Sequence, residues 1–490
     1  MIYPCCAYVE HKMVIYSNME GNVLKMKRKF LSVLAFIIAL SMTAAGCSND
    51  TDSGAADGSE SSLPIKVIGN EEADLDGNVG SETTAVTLES VEGVTVTDSD
   101  GNAVTNIDGN AITVPADTTS ANTETLSDEE IEAAITSQTT EADLGLTRTD
   151  TERYGYSTLT EEEKKLYDDI VSGIEGLRYK ICDEDAYTIE EWTKIYGMVY
   201  NQEPRLFYMN SRVKVGKLFY TTKSPEVIKE MQASIDAVAD KLVSEAAGKS
   251  STFEKLKVFH DYLVLNSSFK FSDGDQSYNA SIYNAFGSGE PQGNIQCNGY
   301  AKAMQYLCDK AGIVSMVVTG ETPEGASHAW NVVDVDGKWY NLDCTWDDPL
   351  MDPANYKNLR YNFFLVPDKW IHNITHMHVN QQKLSSGKYI TYFTPPACTE
   401  TAQNYFIKNG FVYNDFDSAD AAIKAEIKKA AENKSRSAHI MVGSKDVYDQ
   451  LYAKGTDYQK YAREFSGVRG INNAACSEEM LIIEFDVLYN

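Results

Sequence analysis

A cysteine at 297, a histidine at 328 and an aspartate at 343 supply the residue types from which a nucleophile, its base and the group that orients the base are built. In that chemistry Cys297 attacks a carbonyl carbon, His328 holds the thiol proton and returns it to the leaving group, and Asp343 fixes the His328 tautomer. Whether the three meet depends on the elements that carry them.

Cys297 stands ahead of Ala301, Met304, Leu307, Cys308 and Ala311, which recur at helical spacing, and Gly312 supplies the stop. The spacing predicts a helix whose N-terminus surrounds Cys297 with unpaired N–H groups and the positive end of the dipole, a setting that favours a thiolate. "IVSMVVTG" (313–320) reads as the next strand. "HAWNVVDVDGKWYNLDCTWDDP" (328–349) reads as two strands around Asp336-Gly337, the dipeptide that a two-residue hairpin loop prefers. That loop sets Val335 opposite Lys338, Val333 opposite Tyr340, Trp330 opposite Asp343 and His328 opposite Thr345, so the last four share a face. His328 and Asp343 become diagonal neighbours, about 7–8 Å apart at the backbone, within reach of a carboxylate to ring N–H bond. A one-residue slip would send Asp343 to the other face. The plain alternative is an aromatic hairpin with an incidental histidine; the upstream cysteine favours chemistry.

The blocks "CNGYAKA" at Cys297, "HAWNVV" at His328 and "GKWYNLDCTWDDP" at Asp343 resemble, in this order, the core of the transglutaminase-like superfamily over about residues 253–365. The resemblance implies a papain-like α+β fold with Cys297, His328 and Asp343 as its catalytic residues. Ile295-Gln296 stands where that family often has Gly-Val, and Cys344 where it often has Pro; neither change removes a catalytic group. Oxyanion stabilisation requires a donor besides the Cys297 amide, and Gln292 and Tyr283 are the candidates.

With 490 residues, 43% of them apolar, the chain has room for two or three domains and a sizeable core. Its acidity is concentrated: between Ser48 and Asp150 stand 23 Asp or Glu against Lys66 and Arg148, a net of −21 out of −29 for the whole chain. That stretch holds no aromatic residue, so a solvated, disordered linker is expected. Within it "DGNAVT" (100–105) and "DGNAIT" (108–113) repeat, without the ligand spacing of an EF-hand loop. A pI of about 4.6 and the lack of a basic patch argue against nucleic acid as a partner.

"MKRKFLSVLAFIIALSMTAAGC" (26–47) has a basic start, an apolar run too short for an ordinary membrane span, and small residues at its end. It resembles a bacterial lipoprotein signal, which implies translation from Met26 and lipidation of Cys47, with Ala44 where Leu is usual. The expected location is the extracellular face of the cytoplasmic membrane, held by a lipid anchor; cleavage without lipidation, giving a secreted chain, is the alternative. Of nine cysteines, 182, 297, 308, 344, 398 and 476 then remain, and their spacing matches neither a zinc site nor a disulfide framework.

The expected organisation is a leader and signal over 1–47, the acidic linker over 48–150, a mainly helical accessory region over 151–250, the transglutaminase-like core over 251–398, and a small α+β accessory domain over 399–490. Thr160 with Glu163 and Ser251 with Glu254 form capping-box patterns. "RVKVGKLFYTT" (212–222) reads as a strand, "NYFIKNGFVYND" (404–415) as an Asn-Gly hairpin, and His260 as a packing or solvated residue. "HNITHMH" (372–378) carries three histidines with no carboxylate or cysteine at ligand spacing, so no metal is assigned, and no cofactor. The reading is a surface-anchored cysteine enzyme acting on amide bonds of a peptide or protein at the envelope through a thioester, with water or an amine as acceptor. The competing class is a non-catalytic binding module that keeps the fold.

Overall fold

The protein is described by a computed structural model at residues 144, 153–269, 278–286, 294–348, 359–473 and 477–490, with the backbone of short strands between 64 and 114. Every described residue lies in one compact unit, Leu63–Asn490. The signal segment, Cys47 and Gln292 fall outside the described residues. In the acidic stretch, Ala85–Ser90 pairs antiparallel with Pro64–Lys66 and with Val94–Thr97.

After a single helical turn at Tyr154–Ser157, three longer helices precede the core. In α1 (Glu161–Glu175) and α2 (Ile189–Gln202), Thr160 with Glu163 and Thr188 with Glu191 cap the first turn reciprocally, so donors left open at a helix start are satisfied by side chains. α3 (Pro225–Ala247) follows, and α4 (Thr252–Asn266) keeps half of its expected box. Ser251 accepts from the Glu254 N–H, but the Glu254 carboxylate turns to Ser250. The expected strand over 212–222 is absent. Two isolated bridges, Met209 with Tyr220 and Lys214 with Lys217, enclose a tight turn at Gly216, where a Cβ would lie 2.3 Å from the Cys182 carbonyl oxygen.

α5 (Cys297–Ala311) ends at Gly312, which takes the left-handed conformation (φ 67°). Its buried face comprises Ala301, Met304, Leu307 and Cys308. It packs on β1 (Ser315–Glu321) and β2 (Ser327–Val335), and β3 (Lys338–Leu342) and β4 (Phe364–Val366) complete an antiparallel sheet in the order β4-β3-β2-β1. The hairpin has the expected register, Val335 to Lys338 and Val333 to Tyr340, with Asp336 (φ 56°) and Gly337 (φ 79°) both left-handed. The outer edge of β1 is closed by side chains: Gln202 donates to the Val317 carbonyl at 2.7 Å and Gln305 accepts from the Val317 N–H at 3.2 Å. One continuous apolar cluster runs from Leu144 to Cys398 and joins α1 to α5 with the sheet.

The C-terminal region has its own core around Ile423, Ile427, Leu451, Ile483 and Phe485. β5 (Val412–Tyr413), α6 (Phe416–Asn433), β6 (Ser437–Val442), β7 (Val468–Asn473) and β8 (Ile482–Tyr489) form a mixed sheet in the order β5-β6-β8-β7, with β5 parallel to β6. The expected Asn409-Gly410 hairpin is instead the end of a helical turn. The Asn409 and Phe411 amides donate back to Tyr405 and Phe406, while Gly410 (φ 71°) turns the chain. Arg360 pairs with the buried Glu484 and, at 2.8 Å, with Asp486, tying this domain to the segment that leads into β4.

Candidate active site

Cys297 is the first residue of α5, and the Gln296 side chain makes no capping hydrogen bond to the helix. The thiol is partly buried against Ala301, Val317 and Ala329, where the helix lies over β1 and β2. His328 is the second residue of β2, opposite Gly320 of β1. Its Nε2 lies 2.6 Å from Asp343 Oδ2. That leaves Nδ1 as the nitrogen open to Cys297, which lies near enough to favour charge on the ring.

Asp343 departs from the expected hairpin. The β2–β3 ladder stops at Asn331 and Leu342, and Asp343 caps a short helical turn, Cys344–Asp347. Asp343 Oδ1 accepts the Thr345 N–H at 2.9 Å and the Trp346 N–H at 3.2 Å, so Thr345 curls into the turn rather than facing His328. The physical reason is that a carboxylate following a strand satisfies a turn's open amides better than a longer ladder would. Its other oxygen still reaches His328, so the predicted contact survives the change of element. Trp330 shares the face as expected, its ring stacked on His328 at 5.8 Å, and its indole N–H is held by Asn341 at 3.0 Å.

The electrostatics follow from burial and pairing. Burial opposes the charge on His328, but Asp343, with a smaller share from Cys297, outweighs it and raises the imidazole to about 10. Burial likewise opposes charge on Asp343, yet His328 and His376 hold it well below the usual carboxylate range. A protonated His328 beside Cys297 is both the counter-charge for a thiolate and the acid that a leaving amine requires.

Of the two oxyanion candidates, Tyr283 sits on the short helical turn Ile282–Phe286 with its ring against Tyr278, and no hydrogen bond among the described residues joins it to Cys297, His328 or Asp343. The Cys297 amide at the helix start is the donor that the geometry provides. The sequence reading missed His376. It is fully buried, and its Nε2 lies 2.9 Å from the Asp343 oxygen that His328 uses. The signal was visible in "HNITHMH", read there only for metal. Ligand atoms of His328, Asp343 and His376 lie within 4.8 Å of one another, but hydrogen bonds account for them atom by atom, so no metal is assigned. His260 is likewise not merely packed: its Nε2 lies 3.0 Å from Asp347 Oδ2, behind the same turn.

Residues 237–344, which contain Cys297, His328 and Asp343, match the family model described as the transglutaminase-like superfamily. This chain carries a transglutaminase-like domain. An 80-residue stretch is 35% identical to the Kyphoscoliosis peptidase of Homo sapiens, covering 14% of this chain and 12% of that protein, and 34% identical to the mouse (Mus musculus) protein. The chain thus spans about an eighth of the length of these relatives. Among solved structures, the crystal structure of a TGase overlaps 26% of this chain and 36% of its own, at 24% identity and a TM-score of 0.22. The periplasmic domain of TgpA from Pseudomonas aeruginosa overlaps 24% and 48%, at 17% identity and a TM-score of 0.18. Overlaps this partial say nothing of activity. No helix among the described residues is long and apolar enough to cross a membrane.

Proposed function

We propose that the transglutaminase-like domain is a cysteine enzyme that opens amide bonds of a peptide or protein through a thioester on Cys297. The observation that carries this reading is the placement of His328, bonded to Asp343 through Nε2 at 2.6 Å, which leaves Nδ1 for the nearby Cys297. The Cys297 sulfur attacks the carbonyl carbon, and the oxyanion forms beside the open amides of α5. The C–N bond then breaks as His328 gives its proton to the leaving amine. Water attacking the thioester releases a carboxylic acid; an amine attacking it forms a new amide, and either restores the thiol. We further propose that the domain works at the outer face of the cytoplasmic membrane, anchored through Cys47, on the strength of the signal-like segment 26–47.

The test uses the full chain with dimethylcasein and dansylcadaverine. Covalently bound fluorophore indicates transfer, ammonia in excess of bound fluorophore or new α-amino groups indicate hydrolysis, and Cys297→Ala abolishes whichever occurs. Turnover that survives Cys297→Ala overturns Cys297 as the nucleophile, and Cys297 alkylation indifferent to His328→Ala, with no turnover in the wild type, overturns the reading in favour of a binding module. The anchor is tested separately by the mass of the mature N-terminus.

A further inference from the structure

Asp343 Oδ2 serves two histidines. His328 lies at 2.6 Å and His376 at 2.9 Å, both through Nε2, while Oδ1 is taken by two backbone N–H groups. The carboxylate therefore accepts four hydrogen bonds, its full capacity. The second ring nitrogen of His376 lies 2.8 Å from the Thr375 hydroxyl, which also lies 3.4 Å from the Ile371 carbonyl. The proton of a neutral His376 is placed on Nε2 by Asp343 itself, because an ionised carboxylate oxygen can only accept. Burial agrees, lowering His376 to about 4, because Asp343 compensates only in part and the charges of His328 and His372 oppose a further cation. The remaining neighbours are aromatic: Trp330 meets the His376 ring edge-on at 4.4 Å, with Trp346 at 5.5 Å and Phe363 at 6.0 Å.

The segment that carries His376 is pinned to the end of β1, beside His328. The Glu321 and Met377 amides exchange hydrogen bonds at 2.9 and 2.8 Å, and the His376 amide bonds to the Ile371 carbonyl. Asn373, His378 and Asn380 all take positive φ, which winds the strap tightly enough to turn His376 inward. Gly320, directly opposite His328, admits the strap: a Cβ there would lie 2.5 Å from the Met377 carbonyl oxygen.

We infer that His376 is a positioning residue that donates its Nε2–H to the oxygen used by His328, fixing that oxygen and dividing its pull on the His328 proton. The inference rests on the function proposed above. A carboxylate that bonded only to His328 on that oxygen would hold the imidazolium more tightly and make it a poorer acid for the leaving amine. Sharing the oxygen keeps His328 oriented without locking its proton in place.

The experiment follows iodoacetamide alkylation of Cys297 in the full chain from about pH 5 to 11, with the imidazole resonances of His328 read in parallel. His376→Leu keeps the volume and removes the donor; His376→Gln keeps a side-chain N–H where Nε2 stood. In His376→Leu the upper inflection, which belongs to His328, moves up by roughly 0.5–1 pH unit, a three- to tenfold tighter hold on the proton, and in His376→Gln it returns towards wild type. A cooperatively folded His376→Leu variant with an unmoved or lowered inflection overturns the inference while leaving the proposed enzyme standing. A wild-type profile without a His328 limb defeats the proposed function itself, and the inference with it.

Discussion

Replacing Asp343 by Asn tests the site through one atom. The carboxylate serves two backbone donors on one oxygen and two imidazole donors on the other. Asparagine has one acceptor oxygen and an NH2. With its oxygen on the Thr345 and Trp346 amides, the NH2 confronts the N–H groups of His328 and His376; turned over, it confronts the two amides. The first arrangement costs less, because a neutral His328 can carry its proton on Nδ1 and accept the NH2, leaving His376 as the buried donor without its acceptor, at about 1–3 kcal/mol in folding. His328 loses its counter-charge as well. Taking the His328–Asp343 pair once, the rise from 6.5 to about 10 is on the order of 5 kcal/mol of preference for the imidazolium, and without Asp343 burial carries the ring below its ordinary value. The neutral ring then adopts the tautomer with its proton on Nδ1, facing Cys297, so it can no longer accept the thiol proton. Turnover should fall by about 10³–10⁴, in the range known for the same change in a serine triad. The assays are urea unfolding for the first figure and the pH profile of Cys297 alkylation for the second. A folded Asp343→Asn variant whose upper inflection stays near that of wild type would refute the reasoning.

Three further outcomes are expected. Gly320→Ala should push the Met377 carbonyl and its strap outward, reproducing the alkylation profile of His376→Leu with His376 still present; a wild-type profile would show the strap to be slack. His260→Leu should leave the fully buried Asp347 without its partner and cost about 3–5 kcal/mol in urea unfolding; a change within 0.5 kcal/mol would mean that the turn is held from elsewhere, such as by the Phe363 amide on Asp347. Since His328 is raised to about 10 on folding, its contribution to stability is fully present below about pH 6.5 and is lost as pH rises towards 10. Asp343, held low, acts in the opposite sense, contributing above its ordinary range near pH 4 and fading in acid. The wild-type melting temperature should therefore decline between about pH 6.5 and 10 more steeply than that of His328→Gln; parallel slopes would exclude a raised His328.

Local patterns carried much of the site. Helical spacing after Cys297 and a left-handed stop at Gly312 define α5, because both are short-range consequences of periodicity and backbone sterics. Asp336-Gly337 determined the loop and hence the register of β2 on β3, which put His328 and Trp330 on one face. The same local logic failed at Asp343, where a side chain capping its own following turn competed with one more rung of ladder, and at Asn409-Gly410, where a helix end and a hairpin share a signature. The partners of His376 and His260 were not legible, since nothing near either residue in the chain names an aspartate 33 or 87 residues away. The sequence alone determined the helix that starts at Cys297 and the strand that carries His328, because periodicity and turn chemistry act over a few residues. Only the tertiary structure decided which donors share the Asp343 oxygen, because a buried carboxylate takes whatever N–H groups packing brings to it, irrespective of their distance along the chain.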